Sequence, residues 1–138
     1  MRTIQRDIVG AFIFSSDNMI LLGKTAAYEG LWVVPGGGID DGETRLQALE
    51  RELLEETGLD IAEARVEEIE GALTGKSEKV LRDTEERVVV DMRFYNFKLS
   101  FPKKASEIKV EARDDFKDAR WLSVSEIASI KLSPPTAT

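Results

Sequence analysis

The chain has 138 residues, 42% of them hydrophobic and 33% charged, a net charge of -7, and neither cysteine nor histidine. That length and balance predict a single domain over 1–138 with one real core, and the missing residue types exclude disulfides, zinc thiolate sites, Ser-His-Asp and Cys-His catalysis, and HEXXH metalloprotease chemistry. The acidity argues against a general nucleic-acid binder, whose footprint is a basic face. No apolar run approaches the roughly eighteen residues of a membrane span, and no signal-peptide pattern precedes the first strand, so a cytoplasmic protein with no membrane partner is expected.

Asp7 to Phe14 (DIVGAFIF) is rich in β-branched and aromatic residues and predicts a strand. Ser15, Ser16, Asp17 and Asn18 form a turn cluster, and Met19 to Leu22 predicts a second short strand beside the first. A loop from Gly23 to Gly30 follows, containing Lys24 and Tyr28. Leu31 to Val34 is then a short strand that Pro35 ends. Lys24 reads either as a solvated lysine or as a point charge for a substrate phosphate. Trp32 and Tyr28 read either as packing or as a surface on which a base stacks.

Gly36 to Leu59, GGGIDDGETRLQALERELLEETGL, reads as a glycine turn feeding a helix. Thr44 with Gln47 predicts a capping box and Gly58 a stop, which sets the helix at Thr44 to about Thr57. Leu46, Leu49 and Leu53 fall on one stripe, with Leu54 at its edge, and are expected to meet the core. Glu52, Glu55 and Glu56 share another arc, where like charges repel. Either the arc is a solvated face, or a hard divalent cation with oxygen ligands compensates it. Gly36, Gly37 and Gly38 allow main-chain atoms to come close to a metal or phosphate. Arg51 places a permanent positive charge beside the acids.

Beyond the helix, Ala64 to Leu73 is an ambiguous strand and Gly75 to Glu86 a polar loop. Gly71 to Ser77 (GALTGKS) imitates a phosphate-binding loop, but has three residues between its glycines where four are needed. Arg87 to Leu99 predicts the longest strand, central to a sheet. Val88, Val90, Met92 and Phe94 lie on one face, and Val89, Asp91, Arg93, Tyr95 and Phe97 on the other. Asp91 or Arg93 points either into a cleft or to an ordinary surface. Ser123 and Glu126 cap a last helix, and 133–138 reads as a tail.

Gly37, five residues, Glu43, seven residues, then Arg51, Glu52, Leu53, one residue, Glu55, Glu56, one residue, Gly58 and Leu59 resembles the complete signature of the Nudix hydrolases. The resemblance implies an α+β fold, the α/β/α sandwich with a mixed β-sheet. It also implies Mg²⁺-dependent (or Mn²⁺-dependent) hydrolysis of a nucleoside diphosphate linked to another moiety. It implies metal binding by Glu56, by Glu52 or Glu55 and by the Gly36 carbonyl. Glu52 is then one candidate general base, Arg51 orients a glutamate, and Glu43 steadies the loop or joins a second metal through water. Gly37, Gly38 and Lys24 would lie along the substrate. A further acid before Trp121 is expected, with Asp115 the nearest counterpart and Asp114 and Glu111 as alternatives.

Patterns associated with NADH, coenzyme A and ADP-ribose enzymes are missing. Standard or oxidised (deoxy)nucleoside triphosphates are therefore the leading expectation, with nucleotide sugars or ADP-ribose, or a non-catalytic nucleotide-binding module, as alternatives. A homodimer is common in the family.

Overall fold

Long apolar alternation in two distant segments sets the frame. In the computed structural model, which describes residues 1–25, 31–71, 73–81, 84–113 and 116–127, β1 (Arg2–Phe14) runs parallel to β6 (Arg87–Ser100). Their register is unbroken from Arg2 opposite Val88 to Phe14 opposite Ser100. The far side of β6 is shared: β4 (Arg65–Glu68) pairs with its second half, and β5 (Leu73–Val80) with its first. The far side of β1 is shared as well, between β3 (Gly36–Gly38) and β2 (Ile20–Lys24), and β7 (Lys117–Leu122) pairs antiparallel with β2. The sheet is therefore mixed, with β6 inside it as expected.

Residues that alternate onto one face of this sheet make the core. Val9, Ala11 and Ile13 of β1, with Phe97 and Leu99 of β6, meet Ala48, Leu49 and Leu53 of the helix α1 (Arg45–Thr57). The helix starts where Thr44 Oγ1 accepts from Gln47 N (3.1 Å) and Gln47 Oε1 accepts from Thr44 N (2.9 Å). It stops at Gly58, whose left-handed φ of 73° lets its N–H reach the Leu53 and Leu54 carbonyls. A second capping box, Ser123 with Glu126, opens α2 (Val124–Ile127). The tail 133–138 lies outside the described residues.

Four local expectations are corrected. Arg2 to Asp7 extends the first strand, because β6 supplies a partner all the way down. Leu31 to Val34 forms no strand, its bridge residues being Trp32 and Val33, the latter opposite Gly23, while the three glycines expected to turn instead form β3. Gly75 to Glu86 is not wholly a loop, since Leu73 to Val80 pairs with β6 despite its polar side chains. Leu46 (48% exposed) and Leu54 (42%) stay in solvent. Leu46 shares the arc of Leu53 and Thr57 but lies in the first turn, before the buried stretch that begins at Ala48, whereas Leu54 falls outside that arc.

Candidate active site

The site begins with what glycine permits in β3. A Cβ on Gly36 would lie 2.0 Å from the Val9 carbonyl oxygen, and one on Gly37 would lie 2.4 Å from the Glu52 carboxyl carbon. The main chain of β3 is thus pressed between β1 and the acidic face of α1, an approach closed to any other residue. Gly36 N donates to Glu56 Oε1 at 2.8 Å, and the Glu56 side chain is buried beneath the strand. Two carboxylates four residues apart on one helix therefore sit against consecutive glycines.

Arg51 organises the remaining acids. Its Nε donates to Glu43 Oε2 (2.8 Å) and its Nη2 to Glu43 Oε1 (3.0 Å), a two-pronged pair. Nη2 also donates to the Gly38 carbonyl (2.9 Å), while Nη1 reaches Glu52 Oε1 (2.9 Å) and Glu55 Oε2 (3.3 Å). Asp40 Oδ2 stands 3.4 Å from Nη2. This set of bonds raises the Arg51 pKa still further and fixes its charge. Glu43 is held below the usual carboxylate range, first by the Arg51 bond and then by the Asp40 N–H. Glu52 moves the other way, because burial of its carboxyl outweighs the opposing pull of Arg51.

Glu43, Arg51, Glu52, Glu55, Glu56 and Gly36 to Gly38 are thus gathered as one unit. Lys24 instead places Nζ 4.9 Å from the centre of the Trp32 ring, a cation–π contact that makes both residues partners in packing. Asp114, Asp115 and Tyr28 lie outside the described residues. Glu111 is tied to Arg113, in a segment whose N–H groups bond the Thr57 and Glu56 carbonyls at the end of α1. Asp40 was not singled out from the sequence; its signal is the acid three residues before Glu43, whose carboxylate accepts the Asp40 N–H (2.8 Å). Two open pockets of about 390 and 470 Å³ flank the β4–β5 connection, and none of the three helix glutamates lines either.

The donor set is all oxygen, carboxylates plus main-chain carbonyls, which suits a hard divalent cation rather than a soft one. Among the described residues no three acidic side chains stand close enough to share an ion, since Glu52 and Glu55 are both drawn onto Arg51 Nη1. The residue types fit a Mg²⁺-class ion; the carboxylates are held by Arg51 and by the Gly36 N–H.

A mixed sheet carrying a glycine strand, and a capped helix whose glutamates press on it, make up the arrangement that the resemblance to the Nudix hydrolases implies. The NUDIX domain family model matches residues 4–137, and the chain belongs to the Nudix family. It is 31% identical over 126 residues to an RNA pyrophosphohydrolase of Wolbachia pipientis subsp. Culex pipiens, covering 90% of this chain and 78% of that one. Its fold matches the E. coli dihydroneopterin triphosphate pyrophosphohydrolase with a TM-score of 0.71 at 19% identity, over 94% and 88% of the two chains. It also matches a bifunctional NMN adenylyltransferase/ADP ribose pyrophosphatase of Francisella tularensis, solved with AMP and a Mn ion. There the TM-score is 0.62 at 26% identity, over 97% of this chain and 39% of that one. The expected α+β Nudix fold holds. Among the described residues no helix is long and apolar enough to cross a membrane.

Proposed function

We propose that this protein hydrolyses a phosphoanhydride bond of a nucleoside triphosphate, standard or oxidised, by attack of water on phosphorus. The observation that carries the reading is the pair Glu52 and Glu56, set against the main chain of Gly37 and Gly36. Glu52, Glu55, Glu56 and the Gly36 carbonyl would hold Mg²⁺, with Asp115 as a further candidate. Bound there, the ion would neutralise charge on the phosphoryl oxygens and ease deprotonation of water.

The chain's own residues supply the rest. Glu52, partly desolvated beside Arg51, would take a proton from water. Arg51 holds Glu43 and the Gly38 carbonyl, which fixes the loop between β3 and α1 along which the phosphates would lie. Gly37 and Gly38 leave that path free of side chains. Lys24 is a substrate contact only if it leaves Trp32.

A second reading, removal of pyrophosphate from the 5′ end of RNA, is favoured by the Wolbachia relative of that name. The net charge of -7 weighs against a long polyanion. The test is phosphate or pyrophosphate release from nucleoside triphosphates, 5′-triphosphate RNA, nucleotide sugars and ADP-ribose, with Mg²⁺ and with chelator. Chelator-sensitive turnover of triphosphates, lost a hundredfold or more in a folded Glu56→Gln variant, is expected. Near wild-type turnover in that variant would refute the site assignment. Silence across the panel would point to a binding module.

A further inference from the structure

The sheet face turned away from α1 carries a pocket that the reaction site does not use. Alternation puts Gly10, Phe12 and Phe14 of β1, with Asn96 and Lys98 of β6, on that face, because Val9, Ala11, Ile13, Phe97 and Leu99 pack against the helix. β4 stops pairing at Glu68, opposite Phe97, and β5 begins at Leu73, opposite Phe94. Between them Ile69 N donates to the Asn96 carbonyl at 2.9 Å, and the stretch from Ile69 to Gly71 makes a wall. The cavity bounded by this wall and by the two phenylalanines measures about 470 Å³, which is the size of a small-molecule site.

Asn96 lies at the base of this cavity. It is only 9% exposed, yet its side chain makes no hydrogen bond among the described residues. Its Oδ1 rests on Gly10, 2.7 Å from where a Cβ of that residue would lie, so the amide is held flat against the strand. Sealing such an amide away unpaired would be costly. It is not sealed: the buried side-chain atoms without a partner are on Asp7 and Glu86, and Asn96 opens to the cavity that it lines. Its two N–H donors are therefore free for a bound molecule. At the mouth, the exposed Lys98 places Nζ 5.3 Å from the centre of the Phe14 ring and has no carboxylate in ion-pair contact among the described residues. Glu70, also exposed, lines the rim.

We propose that this pocket binds a nucleoside monophosphate at a site separate from the reaction. Phe12 and Phe14 offer aromatic surface to a planar base. The Asn96 N–H groups meet an acceptor on the base edge, a carbonyl or a ring nitrogen. Glu70 accepts from ribose hydroxyls, as acidic residues do in dinucleotide sites, and Lys98 supplies a point charge to the phosphate. An aliphatic acid would leave the rings bare, and an uncharged nucleoside would leave Lys98 unused. The sheet itself separates this site from the glutamates: Gly10, under Asn96, pairs on its other side with Gly36 of β3. The inference does not rest on the hydrolase reading, and the pocket supplies no group to the reaction.

The test is NMR titration and calorimetry with AMP, adenosine, ribose 5-phosphate and benzoate, in chelator so that the glutamates hold no metal ion. The Asn96 side-chain N–H signals, identified by their loss in Asn96→Leu, report the site directly. AMP is expected to shift them, adenosine to bind about tenfold more weakly, and ribose 5-phosphate to leave them in place. Lys98→Gln, a surface change that keeps the test open should Asn96→Leu fail to fold, should weaken AMP binding about tenfold and leave adenosine unchanged. Its kcat/KM for a triphosphate should stay within about twofold of wild type, since the two sites are independent. Glu56→Gln should bind AMP in this pocket as wild type does. Unmoved Asn96 signals at millimolar AMP, benzoate or ribose 5-phosphate binding as tightly as AMP, or wild-type AMP binding by Lys98→Gln would overturn the proposal. Because these readouts need no turnover, failure of the hydrolase reading and failure of this one are separable.

Discussion

Arg51 touches Glu43, Glu52, Glu55 and Asp40, yet the two carboxylates it holds most closely titrate in opposite directions. Glu43 is pulled below 4.5 by its bonds, whereas Glu52 is pushed above 4.5 by burial. The linkage signs follow. Glu43 adds stability above pH 4.5 that is lost as pH falls through its lowered value. For Glu52 the favourable, protonated form is complete below 4.5 and is lost as pH rises through its raised value. In chelator-treated protein, Glu52→Gln should therefore gain stability relative to wild type as pH climbs from 4.5 to 7. Glu43→Gln should cost stability at pH 7 and converge with wild type in acid. Thermal melts across pH 3.5 to 7.5 check both, and parallel curves would contradict the assigned causes.

At the scale of elements, α1 was legible because its signals are local. Thr44, Gln47 and Gly58 specify its ends through hydrogen bonds within a few residues. Thr44→Ala should cost about 1 kcal/mol in urea denaturation, with the m-value unchanged. The strands β3 and β5 were not legible, for different reasons. Three glycines carry no side-chain pattern, and what makes them a strand is the β1 edge beside them, from which Ala11 N also reaches the Pro35 carbonyl. In β5 the sequence LTGKSEKV carries no apolar alternation, and pairing with β6 alone decides. Charges on such an edge also discourage pairing with another chain.

Across the whole molecule, the order of the site residues was readable but their mutual grip was not. Spacing named Glu52 and Glu56; only the fold brings Gly36 N onto one and Gly37 beneath the other. Gly23 and Phe116 are a similar long-range pair. The fully buried ring occupies the place of a Gly23 Cβ, 2.5 Å from its Cζ. Gly23→Ala should cost about 1 to 3 kcal/mol by overpacking, measurable as a lowered denaturation midpoint.

The full-length parallel pairing of β1 with β6 has a consequence during synthesis. Arg2 finds its partner only when Val88 has been made, and Phe14 only at Ser100. At about 5–20 residues per second, the ribosome leaves β1 without its main neighbour for several seconds. Throughout that interval Val9, Ala11 and Ile13 have α1 to collapse on but no Phe97 or Leu99. The reactive glutamates can thus lie on their helix well before the platform that aligns them exists, and activity should appear only when β6 leaves the exit tunnel.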